Sequence, residues 1–199
     1  ISRVKPTFTR YICHMIDLSY IRPAVPVKEI KKELTQERFV RFTSKLNNEI
    51  YIVNAKNSPQ TVQEVGRLRE LTFASADGGT GNPVDLDELD LSDNPYEQLI
   101  VWNPEEEEIV GGYRFIDGAT VLSSKGDPQN DLSMGHYFKF SKQFIDDYLP
   151  YSIELGRSWV QPKYQPAVDP RKGMFALDNI WDGLGAIVLK YENMRHFYG

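Results

Sequence analysis

A chain of 199 residues with 41% hydrophobic and 12% aromatic side chains can bury a sizeable core, which excludes a disordered protein and fits one domain with an N-terminal extension. Its formal charge of −5 excludes a global electrostatic footprint for nucleic acid, so a polyanionic partner would have to meet a local basic patch. The single cysteine, Cys13, excludes an intrachain disulfide framework, and no run approaches the roughly 20 apolar residues of a bilayer span.

Residues 1–26 mix aromatics with Pro6, Pro23 and Pro26 and read as an arm; within it, residues 11–21 are interrupted by His14 and Asp17 and lack a signal-peptide pattern. A cytoplasmic protein is expected. Across residues 27–46, Ile30, Leu34, Phe39 and Phe42 recur among charges, which suggests one or two amphipathic helices. Tyr51-Ile52-Val53 is a short strand. Ser58-Pro59 is a cap and first-turn signature for a helix running to about Ala74. On that helix Val62, Val65, Arg69 and Phe73 share one face, so the Arg69 guanidinium either finds a carboxylate or reaches water from the edge of the stripe.

Residues 76–83 (Ala-Asp-Gly-Gly-Thr-Gly-Asn-Pro) form a loop expected to be mobile, and no Lys-Ser/Thr follows the glycines, so they do not make a P-loop. The acidic run Asp85, Asp87, Glu88, Asp90 and Asp93 lacks the glycine and terminal glutamate of an EF-hand and reads largely as a solvated loop. Residues 97–102 and 108–116 make a hairpin around a glutamate-rich turn, with a bulge or close backbone approach at Gly111-Gly112 and with Arg114 set among apolar residues. Residues 132–140 suggest another strand or an edge segment, and Ser141 caps a short helix through Tyr148, stopped by Pro150.

The stretch Tyr151-Ser152-Ile153-Glu154-Leu155-Gly156-Arg157-Ser158-Trp159-Val160 is a strand carrying an acid and a base. Strict alternation points Glu154 and Arg157 to opposite faces, whereas a bulge at Gly156 brings them to one side; we expect the bulge. A loop with Pro166, Pro170, Arg171, Lys172 and Gly173 leads to a helix over about residues 174–195. Its stripe comprises Leu177, Ile180, Trp181, Leu184, Ile187, Val188 and Tyr191, and its Gly183 and Gly185 suggest close packing. His14, His136 and His196 have no metal-ligand spacing, so no metal site is expected, and no Gly-x-Ser-x-Gly elbow is present. The sequence reaches His196-Phe197-Tyr198-Gly199 where another strand would start, and the domain is expected to be shortened at its C-terminus.

The run Glu154-Leu155-Gly156-Arg157-Ser158-Trp159-Val160, then Tyr164 and Asn179-Ile180-Trp181-Asp182-Gly183-Leu184, resembles the GNAT-like N-acyl amino acid synthases. These are the hemolysin-like ornithine and glycine acyltransferases that begin bacterial aminolipid synthesis. The resemblance covers about residues 60–199 and extends to a pattern shared with autoinducer synthases: Arg69 before Phe73, Asp87 and Asp90, Arg114, then Glu154 with Arg157. It implies a mixed α/β GNAT-like fold, a mostly antiparallel twisted sheet flanked by helices, with residues 1–57 as an extension and 58–199 as the acyltransferase domain.

The implied reaction moves a (3-hydroxy)fatty acyl group from the phosphopantetheine of acyl carrier protein, or less favourably from coenzyme A, to an amino acid's amine, with no permanently bound cofactor. Glu154 would be the base and Arg157 its catalytic neighbour. Gly156, Ser158, Val160 and Gln161 would border the donor, while Lys163, Arg171 and Lys172 would meet the acidic carrier. Arg69, Asp87, Asp90 and Arg114 would form an ion network or bind the acceptor's carboxylate. The glycine-rich pyrophosphate loop usual in GNAT enzymes is absent between Gln161 and Phe175, which favours a carrier-protein donor. A lipid product is compatible with peripheral membrane contact, although no basic amphipathic helix calls for it. An autoinducer synthase using S-adenosylmethionine and a non-catalytic binding module are the alternatives.

Overall fold

A computed structural model describes residues 17–199; Cys13, His14 and most of the expected arm lie outside the described residues. A six-stranded sheet is laid down in sequence order: β1 (Phe39–Phe42), β2 (Glu49–Val53), β3 (Glu97–Asn103), β4 (Glu108–Asp117), β5 (Ser152–Val160) and β6 (His196–Tyr198). The first five are antiparallel neighbours, and β6 pairs parallel with β5. The helices are α1 (Val27–Glu33), α2 (Pro59–Ala74), α3 (Glu88–Leu91), α4 (Gly118–Ser123), α5 (Pro128–Asp131), α6 (Pro170–Met174) and α7 (Ala176–Lys190). This is the mixed, mostly antiparallel α/β architecture that the sequence implied.

Side-chain alternation along the strands divides the core into two layers. On one face Ile50, Ile52, Leu99, Phe115 and Ile153 pack against Ala176, Ile180 and Ile187 of α7. On the other, Tyr51, Val53, Ile100, Trp102 and Trp159 pack against Val62, Val65 and Leu68 of α2 and Ile30 of α1. Each fully buried Val, Leu, Ile or Phe among them contributes about 1.5–3 kcal/mol. Gly183 is required where α7 crosses β3, because a Cβ there would collide with the Leu99 side chain, whereas one at Gly185 would meet open space. Only part of the apolar stripe of α7 is covered: Leu177, Trp181 and Val188 lie on its outer, exposed side.

Several local expectations are corrected. Residues 39–42 are a strand rather than a second helix, because Phe39 and Arg41 pair with Tyr51 and Ile50 on β2. Helix α2 has the expected span, but Ser58 makes no side-chain cap; the carboxylate of Glu33 accepts from the Gln60 and Thr61 N–H groups at 3.0 and 2.7 Å instead. Residues 132–140 are not a strand: β4 already has β5 on that side, and Ser133–His136 form a 3₁₀ turn. Ser141 does cap its helical turn, accepting from Phe144 N–H at 3.1 Å. The last helix breaks at Phe175 and stops at Lys190, after which the chain turns into β6, the strand anticipated at His196.

Candidate functional site

Between β4 and β5 the pairing runs from Gly112 opposite Trp159 to Arg114 opposite Gly156, so Arg157 and Ser158 together face Tyr113 alone. That is the expected bulge, centred one residue after Gly156. Its left-handed backbone conformation is taken by Arg157, with φ of 46°, a region that a side chain with a Cβ enters at a cost. The extra residue turns Arg157 to the same side as Glu154: Arg157 meets Asp85 and Asp87 in the loop after α2, Glu154 meets Tyr96 and Ser133, and Arg114 bonds to both groups.

There Arg157 closes a ring of alternating charge. Arg69 donates through Nε to Asp85 Oδ2 at 3.2 Å and through Nη2 to Asp90 Oδ2 at 2.9 Å. Arg114 Nη1 reaches Asp90 Oδ2 at 3.4 Å and Asp87 Oδ2 at 2.6 Å. Arg157 Nη2 returns to Asp87 Oδ2 at 2.8 Å, and its Nη1 reaches Asp85 Oδ1 at 2.6 Å. Three guanidinium groups therefore face three carboxylates. Gln98 bridges the interior by accepting from Arg69 at 3.3 Å and donating to Asp90 at 2.8 Å. Arg69 and Asp90 are fully buried, whereas Arg157 and Asp87 retain 29% and 24% side-chain exposure and form the corner that faces solvent.

The loop is shaped to deliver these acids. Asp85 N–H donates to the Gly66 carbonyl at 2.9 Å, and a Cβ at Gly66 would lie 2.6 Å from Leu86 Cγ, so the glycine lets the loop lie against α2. Asp87 then caps α3 while the Asp90 carboxylate reaches back to the Asp87 N–H, a reciprocal capping box. Burial pushes the Asp87 carboxyl up, but Arg114 and Arg157 more than offset this and hold it well below the usual carboxylate range. The glycine-containing loop before it is tied as well, since Glu70 accepts from Thr80 N–H, Thr80 Oγ1 and Gly81 N–H at 2.7–2.9 Å.

Glu154 lies beside this ring, 1% exposed. Its Oε1 accepts from the Tyr96 hydroxyl at 2.9 Å and from Ser133 N–H at 3.0 Å; its Oε2 has a longer contact with Met134 N–H at 3.4 Å. Burial raises its carboxyl above the ordinary range, against the opposing pull of Tyr96, the Met134 and Ser133 N–H groups and the Arg114 charge. Arg114 also donates to Ser133 Oγ at 3.1 Å, so the ring and the carboxylate share the Ser133 turn.

Beside the bulge, Ser158, Trp159 and Val160 border a cleft of about 680 Å³, which Tyr164, Met174 and Leu177 and, from α2, Thr72 also line. Gly156 sits in the β4–β5 ladder, and Gln161 is buried with its amide donating to the Ile109 carbonyl. The basic candidates do not line the cleft, but Lys172 Nζ lies 5.8 Å from the centroid of its Tyr164 ring. Lys163 pairs with Glu108 at 2.6 Å and Glu106 at 3.3 Å, Lys172 pairs with Glu106 at 2.6 Å, and Arg171 is exposed on α6, whose N-terminus is capped by Asp169. Among the described residues no group of His, Cys, Asp or Glu is arranged to hold a metal ion. Sequence reasoning brought Arg69, Asp87, Asp90, Arg114, Glu154 and Arg157 forward but missed Asp85 as a ring member, and with it Gln98, Tyr96 and Ser133.

A family model described as an acetyltransferase (GNAT) domain matches residues 68–169, a span that holds the whole ring, Glu154 and the bulge. The chain belongs to the GNAT family. Two curated relatives, each named glycine N(alpha)-acyltransferase, are similar to it. The one from Phocaeicola vulgatus is 50% identical over 174 residues, 86% of this chain and 53% of the relative. The one from Bacteroides thetaiotaomicron is 51% identical over 171 residues, 85% of this chain and 50% of the relative. The chain thus spans about half the length of the curated relatives it matches. No solved structure matches it. No helix among the described residues is long and apolar enough to cross a membrane.

Proposed function

We propose that this GNAT chain is an N-acyltransferase that moves a (3-hydroxy)fatty acyl group from the phosphopantetheine thioester of acyl carrier protein to the amine of glycine or another small amino acid, for aminolipid synthesis. The observation that carries the reading is the β5 bulge, which sends Arg157 into the ion ring and leaves the neighbouring Ser158 on the border of an apolar cleft. In this reading the acceptor binds at the polar ring, the donor's acyl-pantetheine arm lies in the apolar cleft, and the two meet at the bulge. The relatives' names, glycine N(alpha)-acyltransferase, support an amino acid acceptor.

In the proposed reaction the neutral amine attacks the thioester carbonyl, and Glu154 takes the proton that the nitrogen sheds as the N–C bond forms. Backbone N–H groups of the bulged strand donate to the oxyanion, then the C–S bond breaks and the proton passes to the departing thiolate. Arg157, at the solvent-facing corner of the ring, receives the acceptor's carboxylate bidentately. The other ring members hold Arg157 and the Asp85–Asp90 loop in register. An acidic carrier docking at Lys163, Arg171 and Lys172 would compete with Glu106 and Glu108, which makes that contact sensitive to salt.

The test incubates the full-length protein with 3-hydroxyacyl carrier protein or the matching acyl-coenzyme A, a panel of amino acids including glycine and ornithine, and S-adenosylmethionine in a separate arm. Products are read by mass spectrometry. An N-acyl amino acid formed faster from the carrier protein is expected. No N-acyl product with any amino acid overturns the reading, and a lactone from S-adenosylmethionine replaces it with an autoinducer synthase. Glu154→Gln is expected to cut kcat by about 10²–10⁴-fold with little loss of folding; near-wild-type turnover removes Glu154 from the base role.

A further inference from the structure

Tyr96, immediately before β3, is 1% exposed, and its hydroxyl is committed on both sides. It accepts from Ser133 N–H at 2.9 Å and donates to Glu154 Oε1 at 2.9 Å, while the Ser133 N–H also reaches the same carboxylate oxygen. The Arg114 guanidinium lies over its ring, 4.8 Å from the centroid. One side chain therefore joins the ion ring, the Ser133 turn and the acid. The two oxygens of Glu154 are treated unequally: Oε1 carries two short bonds, and Oε2 only the 3.4 Å contact from Met134.

Building on the proposed acyl transfer with Glu154 as its base, we infer that Tyr96 is a positioning residue: it pins Glu154 Oε1 and so presents Oε2 to the acceptor nitrogen. A buried phenol needs a hydrogen-bond partner, and a phenylalanine would fill the same space without one. The hydroxyl thus orients the carboxylate and, by donating to it, favours its charged form. The other groups facing Glu154 are Arg114, whose charge acts in the same direction, and the Tyr198 hydroxyl on β6, which burial and the Glu154 carboxylate keep un-ionised.

The test is Tyr96→Phe in the full-length protein, with kcat, donor KM and the pH dependence of kcat/KM measured beside Glu154→Gln. The variant keeps the aromatic ring beneath Arg114. We expect kcat at pH 7 to fall roughly tenfold to a hundredfold with donor KM within about twofold, and the acid limb of the profile to move to higher pH. A merely structural role would leave that limb in place. Should Tyr96→Phe fail to fold, 3-fluorotyrosine placed at position 96 keeps the ring and its bonds but makes the phenol a stronger donor to Glu154; the acid limb is then expected to move to lower pH, and an unmoved limb overturns the role. An inactive Glu154→Gln enzyme together with an unshifted acid limb and unchanged kcat overturns the role of Tyr96 alone. Near-wild-type turnover of Glu154→Gln overturns the base assignment, and this inference with it.

Discussion

Replacing Arg69 by methionine removes one of three positive members from the charge ring and leaves Asp85, Asp87 and Asp90 facing only Arg114 and Arg157. Arg69 and Asp90 are inaccessible to solvent, so water does not make good the loss. Breaking a buried pair by deleting one partner costs about 3–5 kcal/mol. With a urea m-value of about 2 kcal/mol per molar, the unfolding midpoint falls by about 1.5–2.5 M. The control is Lys31→Met: that lysine pairs with Glu107 at 2.5 Å, but both side chains are about half exposed, and such a pair is worth about 0–1 kcal/mol. Urea unfolding of both variants at pH 7, in low and high salt, separates the cases, because salt screens the exposed pair and hardly touches the ring. A loss for Arg69→Met no larger than that for Lys31→Met would refute a closed, buried ring.

Gly183→Ala should destabilise the fold by about 1–3 kcal/mol through overpacking on Leu99, while Gly185→Ala should stabilise α7 by up to about 1 kcal/mol; thermal melts of the two give opposite signs. Glu33→Ala should cost about 0.5–2 kcal/mol by uncapping α2, whereas Ser58→Ala, which removes a buried hydroxyl without a partner, should be neutral or better. The acids Asp87 and Glu154 work in opposite directions with pH. Asp87, held low when folded, contributes stability above the ordinary aspartate range and loses it as pH falls through the folded value. Glu154, held high, gives up a proton more readily in the unfolded chain, so stability drains away as pH rises from the ordinary glutamate value towards its folded one. Glu154→Gln should therefore compare more favourably with wild type at pH 7.5 than at pH 4, as read by urea unfolding.

Helix α2 was legible because Pro59 opens it and a regular apolar stripe runs through it, and the β3–β4 hairpin because its strands flank an acidic turn. The bulge was legible from chemistry alone, since a strand carrying Glu154 and Arg157 three residues apart needs an extra residue to use both on one face. That Arg157 itself, not Gly156, would adopt the left-handed conformation could not be read, because glycine is the cheaper choice and the ion pairs that hold arginine there come from distant segments. Asp85 looked like one more solvated acid. Tertiary contacts with Gly66, the Asp85 N–H to Gly66 carbonyl bond and the packing of Leu86 on the bare glycine, bring it beneath Arg69. The strand expected at residues 132–140 does not form, because only Leu132 is buried there, Tyr137 and Phe138 stay exposed, and Ser133–His136 take a 3₁₀ turn whose N–H groups meet Glu154 instead of a strand partner.

The uncovered side of α7 gives the molecule an internal spectroscopic contrast. Of its three indoles, Trp102 and Trp159 are each 3% exposed within the layer beneath α2, and Trp181 is 64% exposed on the far helix. Iodide should quench Trp181 and leave the other two bright, so the unquenched emission follows global unfolding while the quenched fraction reports on the outer face of α7. Any event that covers Leu177, Trp181 and Val188 would register as a blue shift and lost quenching in that one fluorophore, with no label attached.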